Sequence, residues 1–201
     1  MENALIIFVR NPVLGRVKTR IAEAVGEKKA LDIYLELLRH THDIVHPLAA
    51  DKYIFYSENP EPGDIWEDHE YYKFLQSGET LGDKMQDAIQ RLLAMGYEKV
   101  CIIGSDCYEL TTGIIESAFE ILSGNDIVIG PAKDGGYYLM GMKKVVLPIF
   151  SNKEWSTATV YSKTINDLEN SGYSYSTLPM LNDVDTMEDV PEELLNQKKT
   201  F

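Results

Sequence analysis

Short apolar runs and longer amphipathic stretches alternate along the chain. Residues 4–9 and 100–104 are continuous apolar runs bounded by turn signals, the pattern of strands buried on both faces. Residues 52–56, 71–75, 126–130 and 173–178 read as further strands. Helical spacing appears at 27–45, where Leu31, Tyr34, Leu35, Leu38 and Val45 form one stripe. It recurs at 81–95 with Met85, Ile89, Leu92 and Leu93, between a Thr80 cap and a Gly96 stop. Two more helices follow at 113–122 (Ile114, Ala118, Phe119, Leu122) and at about 159–170, the second closed by Gly172. A last helix, capped by Thr186, is expected to run toward Gln197. Strands that alternate with helices predict an α/β fold: a mostly parallel sheet with helices on both faces. No repeat or linker interrupts the chain, so residues 1–201 are expected to form a single domain.

Composition narrows the function. The formal net charge of −13 disfavours nucleic acid and anionic membranes as partners. No apolar run approaches the roughly 18 residues of a membrane span, and the N-terminal apolar run lacks a basic leader, so a cytoplasmic protein is expected. Cys101 and Cys107 form neither a CxxC pair nor a zinc set and are expected to be free thiols, Cys101 in the core and Cys107 beside the site.

The candidate chemistry sits where strands end, and in open α/β sheets ligands bind outside the carboxyl ends of the strands. Asp106 follows the 100–104 strand; it reads either as a metal-site carboxylate or as the cap of a nearby turn or helix. Residues 10–20 hold Arg10, Arg16, Lys18 and Arg20 with no acidic residue, around Asn11-Pro12 and Gly15. A basic loop after the first strand suits a phosphate; the alternative is a solvated face paired with acidic neighbours. Neither the GxxxxGK[ST] nor the GxGxxG spacing is present. Asp134 precedes Gly135 and Gly136, where the backbone can pass close to a ligand or simply turn between two strands. Asp183 and Asp185, two apart, share a face if extended, as metal ligands or as decoration of a helix entry. His42 and His46 share a helix face without an evident third ligand, which favours a packed pair over a zinc site.

Together these stretches carry a resemblance. Gly15-Arg16-Val17-Lys18-Thr19-Arg20, Gly104-Ser105-Asp106-Cys107, the run from Gly130 through Asp134-Gly135-Gly136 to Tyr138, Trp155-Ser156-Thr157 and Asp183-Val184-Asp185-Thr186 resemble, in order, the motifs of a bacterial glycosyltransferase-like family. Its members are often labelled radical-SAM/selenodomain-associated transferases. That family is similar to the nucleotide-diphospho-sugar transferases of the glycosyltransferase A type, a group that includes the molybdenum-cofactor and phospholactate guanylyltransferases. The resemblance implies a nucleotide-binding fold and Mg²⁺ or Mn²⁺. It implies that Asp106, Asp185 and neighbouring Asp183 hold the metal, and that Gly15, Arg16, Lys18 and Arg20 bind phosphate. Asp134, Gly135, Gly136 and Trp155 are then expected at the substrate pocket. Tyr108 stands where the family pattern carries Pro.

The expected function is a metal-dependent transferase that uses an activated nucleotide, foremost a nucleotide-diphospho-sugar, with Lys18 and Asp106 stabilising charge and Asp134 as acceptor base. Nucleotidyl transfer with release of pyrophosphate is the alternative, since four cations suit a triphosphate; a non-catalytic nucleotide-binding module is a third reading. The acceptor is not specified by the sequence.

Overall fold

A computed structural model describes residues 2–60, 63–151 and 153–196. Among these residues seven strands form one sheet in the order β3-β2-β1-β4-β6-β5-β7. They are β1 (Asn3–Val9), β2 (Asp51–Tyr56), β3 (Tyr71–Leu75), β4 (Lys99–Ile103), β5 (Ile127–Pro131), β6 (Tyr137–Met142) and β7 (Tyr175–Thr177). β1 pairs in parallel with β2 and β4, β2 with β3, and β5 with β7; β6 runs antiparallel between β4 and β5. The expected mostly parallel sheet is therefore present, with one reversed strand. The reversal follows from the Asp134-Gly135 turn, which returns the chain directly after β5 instead of through a crossover helix.

The helices are α1 (Thr19–Val25), α2 (Glu27–Val45), α3 (Leu81–Ala94), α4 (Thr112–Gly124), α5 (Val160–Ser171) and α6 (Glu192–Asn196). Strand side chains alternate between two cores. Leu5, Ile7, Ile54, Cys101 and Ile103 pack with Tyr34, Leu38 and Val45 of α2 and Ile115, Phe119 and Leu122 of α4. Ala4, Ile6, Phe55, Val100 and Ile102 pack with Met85, Ile89 and Leu92 of α3 and Leu168 of α5. Continuous apolar strands thus feed both faces of the sheet, as their sequence demands. A smaller cluster joins Ile21 of α1, Ile33 and Leu37 of α2, and Val184, Val190 and Leu194 near the C-terminus.

Two expectations change. The basic loop ends at Lys18, because residues 19–25 form a helix that the short apolar stripe did not announce. The last helix is not continuous from Thr186: Thr186 caps a single 3₁₀ turn, Met187–Asp189, and Pro191 separates it from α6. Gln197, its expected end, lies outside the described residues.

Gly141 lies on β6 opposite Cys101 and Val128. A methyl group there would meet the Cys101 sulfur at 2.6 Å and Val128 Cγ1 at 2.8 Å. Gly141→Ala is expected to cost about 1–3 kcal/mol in urea unfolding by overpacking. Gly113→Ala, in α4 with no atom within 4 Å of the new carbon, is expected to be neutral or slightly stabilising.

Candidate nucleotide-binding site

Because β1, β4 and β5 point the same way, the segments after them meet on one rim of the sheet. The chain after β7 is drawn to the same rim by continued pairing with β5: Leu178 N–H donates to Ile129 O at 2.9 Å, and Leu181 N–H to Pro131 O at 3.1 Å. The hydroxyl of buried Tyr138 adds a bond to Pro179 O at 2.9 Å. These contacts carry residues 182–185 to the loop that holds Asp106.

Lys18 is the centre of the rim. It adopts a left-handed backbone (φ 49°) at the cap of α1, a conformation that is costly for a residue with a Cβ. Its side chain is only 6% exposed. The ammonium lies 2.7 Å from Asp106 Oδ1 and donates to Val184 O at 2.6 Å. Val184 N–H in turn donates to Asp106 O at 2.8 Å. Three segments remote in sequence are thus tied through one buried cation. The basic loop is anchored from below by Tyr34 of α2, whose hydroxyl accepts from Arg10 N–H and donates to Arg10 O, both at 2.9 Å. Burial and the Asp106 charge push the Tyr34 phenol up to about 12, so it remains a neutral donor. Asn11 fixes the loop from the side, with its amide on Asn59 O at 2.7 Å and its oxygen accepting from Glu58 N–H at 3.1 Å.

The acidic pair at 183 and 185 is split. Asp183 is drawn inward, where burial first, and then the charges of Asp106 and Asp134, push its carboxyl up to about 7; Lys18 opposes the shift. Asp185 is exposed and pairs with Arg20 on α1 at 2.7 Å. The helix missed in the sequence is the reason, since it sets Arg20 beside Asp185. Arg16 is exposed and pairs with Glu58 at 2.9 Å. Gly15 has φ +76°, and a side chain there would press on the Glu27 carboxylate at 3.1 Å.

The hairpin between β5 and β6 forms the opposite wall. Exposed Asp134 accepts from Gly136 N–H at 2.8 Å, so it turns the chain and also presents a carboxylate to Asp183. Gly135 (φ +89°) packs so closely on the segment before α5 that a Cβ would lie 2.1 Å from Ala158 O; its own carbonyl accepts from Tyr161 N–H at 2.8 Å. Trp155 meets Tyr137 edge-on at 6.4 Å and lies over Gly82 in the first turn of α3. It lines a cavity of about 460 Å³ with Thr80, Asp83, Gln86, Phe150 and Lys153.

Asp106, Asp134 and Asp183 supply hard oxygen donors of the kind Mg²⁺ and Mn²⁺ take. Asp183 feels the charges of Asp106 and Asp134 against a single nearby ammonium, a surplus of negative charge, so donor type and charge fit a divalent ion. As arranged, no group of three His, Cys, Asp or Glu side chains among the described residues is gathered to hold a metal. His42 and His46 are a stacked pair, rings 5.6 Å apart, facing Glu67 and Glu70. Both cysteines are free and buried; burial pushes the Cys107 thiol up, and its sulfur donates to Asn182 O at 3.6 Å. Tyr108, at the departure from the family pattern, packs its ring on His40 with centroids 4.6 Å apart.

The family model for an uncharacterized protein conserved in bacteria (DUF2064) matches residues 42–157. The chain belongs to this family. A crystal structure of a candidate nucleotide-diphospho-sugar transferase from Desulfovibrio desulfuricans G20 is 33% identical over 92% of this chain and 82% of that one, with a TM-score of 0.83. CMP:2-keto-3-deoxy-manno-octonic acid synthetase complexed with CTP superposes with a TM-score of 0.61 at 11% identity, covering 97% of this chain and 98% of that one. The inositol-1-phosphate CTP transferase from T. maritima does so at 0.59 and 13%, covering 95% and 92%. At such identities the last two show a shared fold. A comparison with curated proteins found no match.

For this DUF2064 member, sequence reasoning missed several residues that shape the rim. Gln76 follows β3 and caps the sheet, its amide donating to Phe55 O at 3.0 Å and Val9 O at 3.4 Å. Nothing local marks it. Gly82 is the seat of Trp155, and its only trace in the sequence is a glycine inside a helix that had no other reason to carry one. Tyr34 reads as one more member of an apolar stripe.

The raised carboxyl of Asp183 carries a pH signature. Folded protein retains a proton that the unfolded chain, titrating near 3.8, releases. This contribution to stability is therefore full below the unfolded value and is lost as pH rises toward 7. Asp183→Asn removes the charge, so its stability relative to wild type is expected to climb between pH 5 and pH 8, by on the order of 2–4 kcal/mol. Urea titrations in EDTA measure this; a difference flat with pH would place Asp183 outside the charge cluster.

Proposed function

We propose that this protein is a metal-dependent transferase that takes an activated nucleotide, foremost a nucleotide-diphospho-sugar. The observation that carries this reading is the buried Lys18 ammonium held 2.7 Å from Asp106 on the carboxyl rim of the sheet, with the Asp183 carboxyl pushed up by burial and by the Asp106 and Asp134 charges. The similarity to the 33% identical Desulfovibrio desulfuricans protein supports the substrate class. The narrower membership among radical-SAM/selenodomain-associated transferases rests on the motif resemblance. A cytoplasmic setting is part of the same proposal; no helix among the described residues is long and apolar enough to cross a membrane.

In this reading Asp106 and Asp183 hold Mg²⁺ or Mn²⁺, with Asp185 beside them. When bound, the ion supplies Lewis-acid neutralisation of the diphosphate that leaves. Arg16 and Arg20, at the open side of the loop, can exchange Glu58 and Asp185 for phosphate oxygens, which guanidinium groups bind in bidentate fashion. Lys18 adds charge from the interior. Gly135 seats the hairpin on the segment before α5, Gly136 lets its backbone approach the donor, and Asp134 accepts a proton from an acceptor hydroxyl. The acceptor enters beside Trp155, which lines the cavity at the start of α3 and meets Tyr137 of β6 edge-on.

Nucleotidyl transfer is the second reading. The four cations of residues 10–20 would suit a triphosphate, once Arg16, Lys18 and Arg20 exchange Glu58, Asp106 and Asp185 for its oxygens.

The test is product identity. With Mn²⁺ and a panel of UDP-, GDP- and CDP-sugars, release of the nucleoside diphosphate is expected; pyrophosphate from a triphosphate would establish the second reading. Asp106→Asn is expected to lower turnover at least about a hundredfold while circular dichroism stays native. A fully active Asp106→Asn enzyme would overturn both catalytic readings. Nucleotide-dependent thermal shifts without turnover of any donor would leave a binding module.

A further inference from the structure

The Lys18 ammonium is nearly sealed from solvent, yet the side chain it holds is not. Asp106 is 48% exposed, and its Oδ1 is contacted from the protein side at 2.7 Å. The same ammonium has a second fixed partner, Val184 O at 2.6 Å. Its backbone is held at φ 49°, in the left-handed region that is costly for a residue with a Cβ. A buried lysine with one carboxylate and one carbonyl is a complete internal counter-ion, and it sits on the carboxylate that the family motif marks for metal.

We propose that Lys18 is a resident cation that competes with the divalent ion for Asp106, so that the ammonium and the metal are alternative occupants of this carboxylate. This rests on the reading of Asp106 as a metal carboxylate. A second cation brought onto the same carboxylate would stand within about 5 Å of the ammonium, and at that range like charges repel appreciably even at an effective dielectric near 20. Lysine also has a compact charge on a flexible four-carbon stem. When Asp106 is taken, the ammonium can swing off it toward the phosphates at the mouth of the loop without a change in the backbone. The cation that holds the empty rim together thereby becomes a donor-binding group once the rim is loaded. The arrangement makes metal and nucleotide cooperative: each helps to remove Lys18 from Asp106.

Two measurements on the intact chain test this. The first is Mn²⁺ affinity by calorimetry for wild type, Lys18→Met and Asp106→Asn. Lys18→Met keeps the stem and removes the charge, so it is expected to bind Mn²⁺ roughly tenfold more tightly than wild type, whereas Asp106→Asn loses binding. Equal or weaker binding by Lys18→Met overturns this inference and leaves the proposed function intact. If neither wild type nor Lys18→Met binds Mn²⁺, the metal reading of Asp106 falls and the inference falls with it. The second measurement needs no variant and decides the matter if Lys18→Met does not fold. Lys18 acetylation by acetic anhydride, followed by mass spectrometry, is expected to be slow in EDTA, several-fold faster with Mn²⁺ alone, and slow again when a nucleoside diphosphate is added and its phosphates take the released ammonium. Lys18 that stays equally protected at saturating Mn²⁺ overturns the exchange.

Discussion

The rim of this protein depends on a buried ammonium that must be neutralised. At 6% exposure the Lys18 ammonium needs partners inside the protein, because an unpaired charge in the interior costs several kcal/mol. It finds a carboxylate after β4 and a carbonyl in the segment after β7. Val184 then closes the triangle with a backbone bond to Asp106. No two of the three segments are near in sequence; the sheet brings them to one rim and this charge ties them together there.

The sheet creates the conditions for that contact. Parallel strands from both halves of the chain end on the same side, and each end carries a chemistry-bearing segment. The reversed strand β6 matters here as well. By returning through the Asp134-Gly135-Gly136 turn, it leaves an exposed carboxylate whose charge reaches Asp183. The cost of assembling acids so closely appears at Asp183, whose carboxyl is pushed up to about 7 by burial and by its acidic neighbours. Such tension between stability and charge placement is common at functional sites.

Much of this was legible from the chain alone. The buried strands, the amphipathic helices and the loops that carry Lys18, Asp106, Asp134 and Asp183 could all be read from period and punctuation. Less could be read about what those residues touch. Residues 19–25 are too short and too polar for their helix to show in a periodic pattern, so Arg20 was grouped with a loop and its pairing with Asp185 was hidden. Gln76, Gly82 and Tyr34 act through partners 21 or more residues away in the chain, or across a helix–loop contact, and leave no local signal.

The sequence by itself determined the α/β class, the direction of most strands, and which residue types arrive at the rim, because hydrophobic period and turn chemistry act over a few residues. Tertiary structure decided the division of labour among them. It turned Lys18 inward and left Arg16 and Arg20 outward, drew Asp183 in and gave Asp185 to Arg20, and set Trp155 on Gly82. The physical reason is that burial and charge pairing depend on distances through space. Those are fixed only after the sheet has brought distant strand ends together.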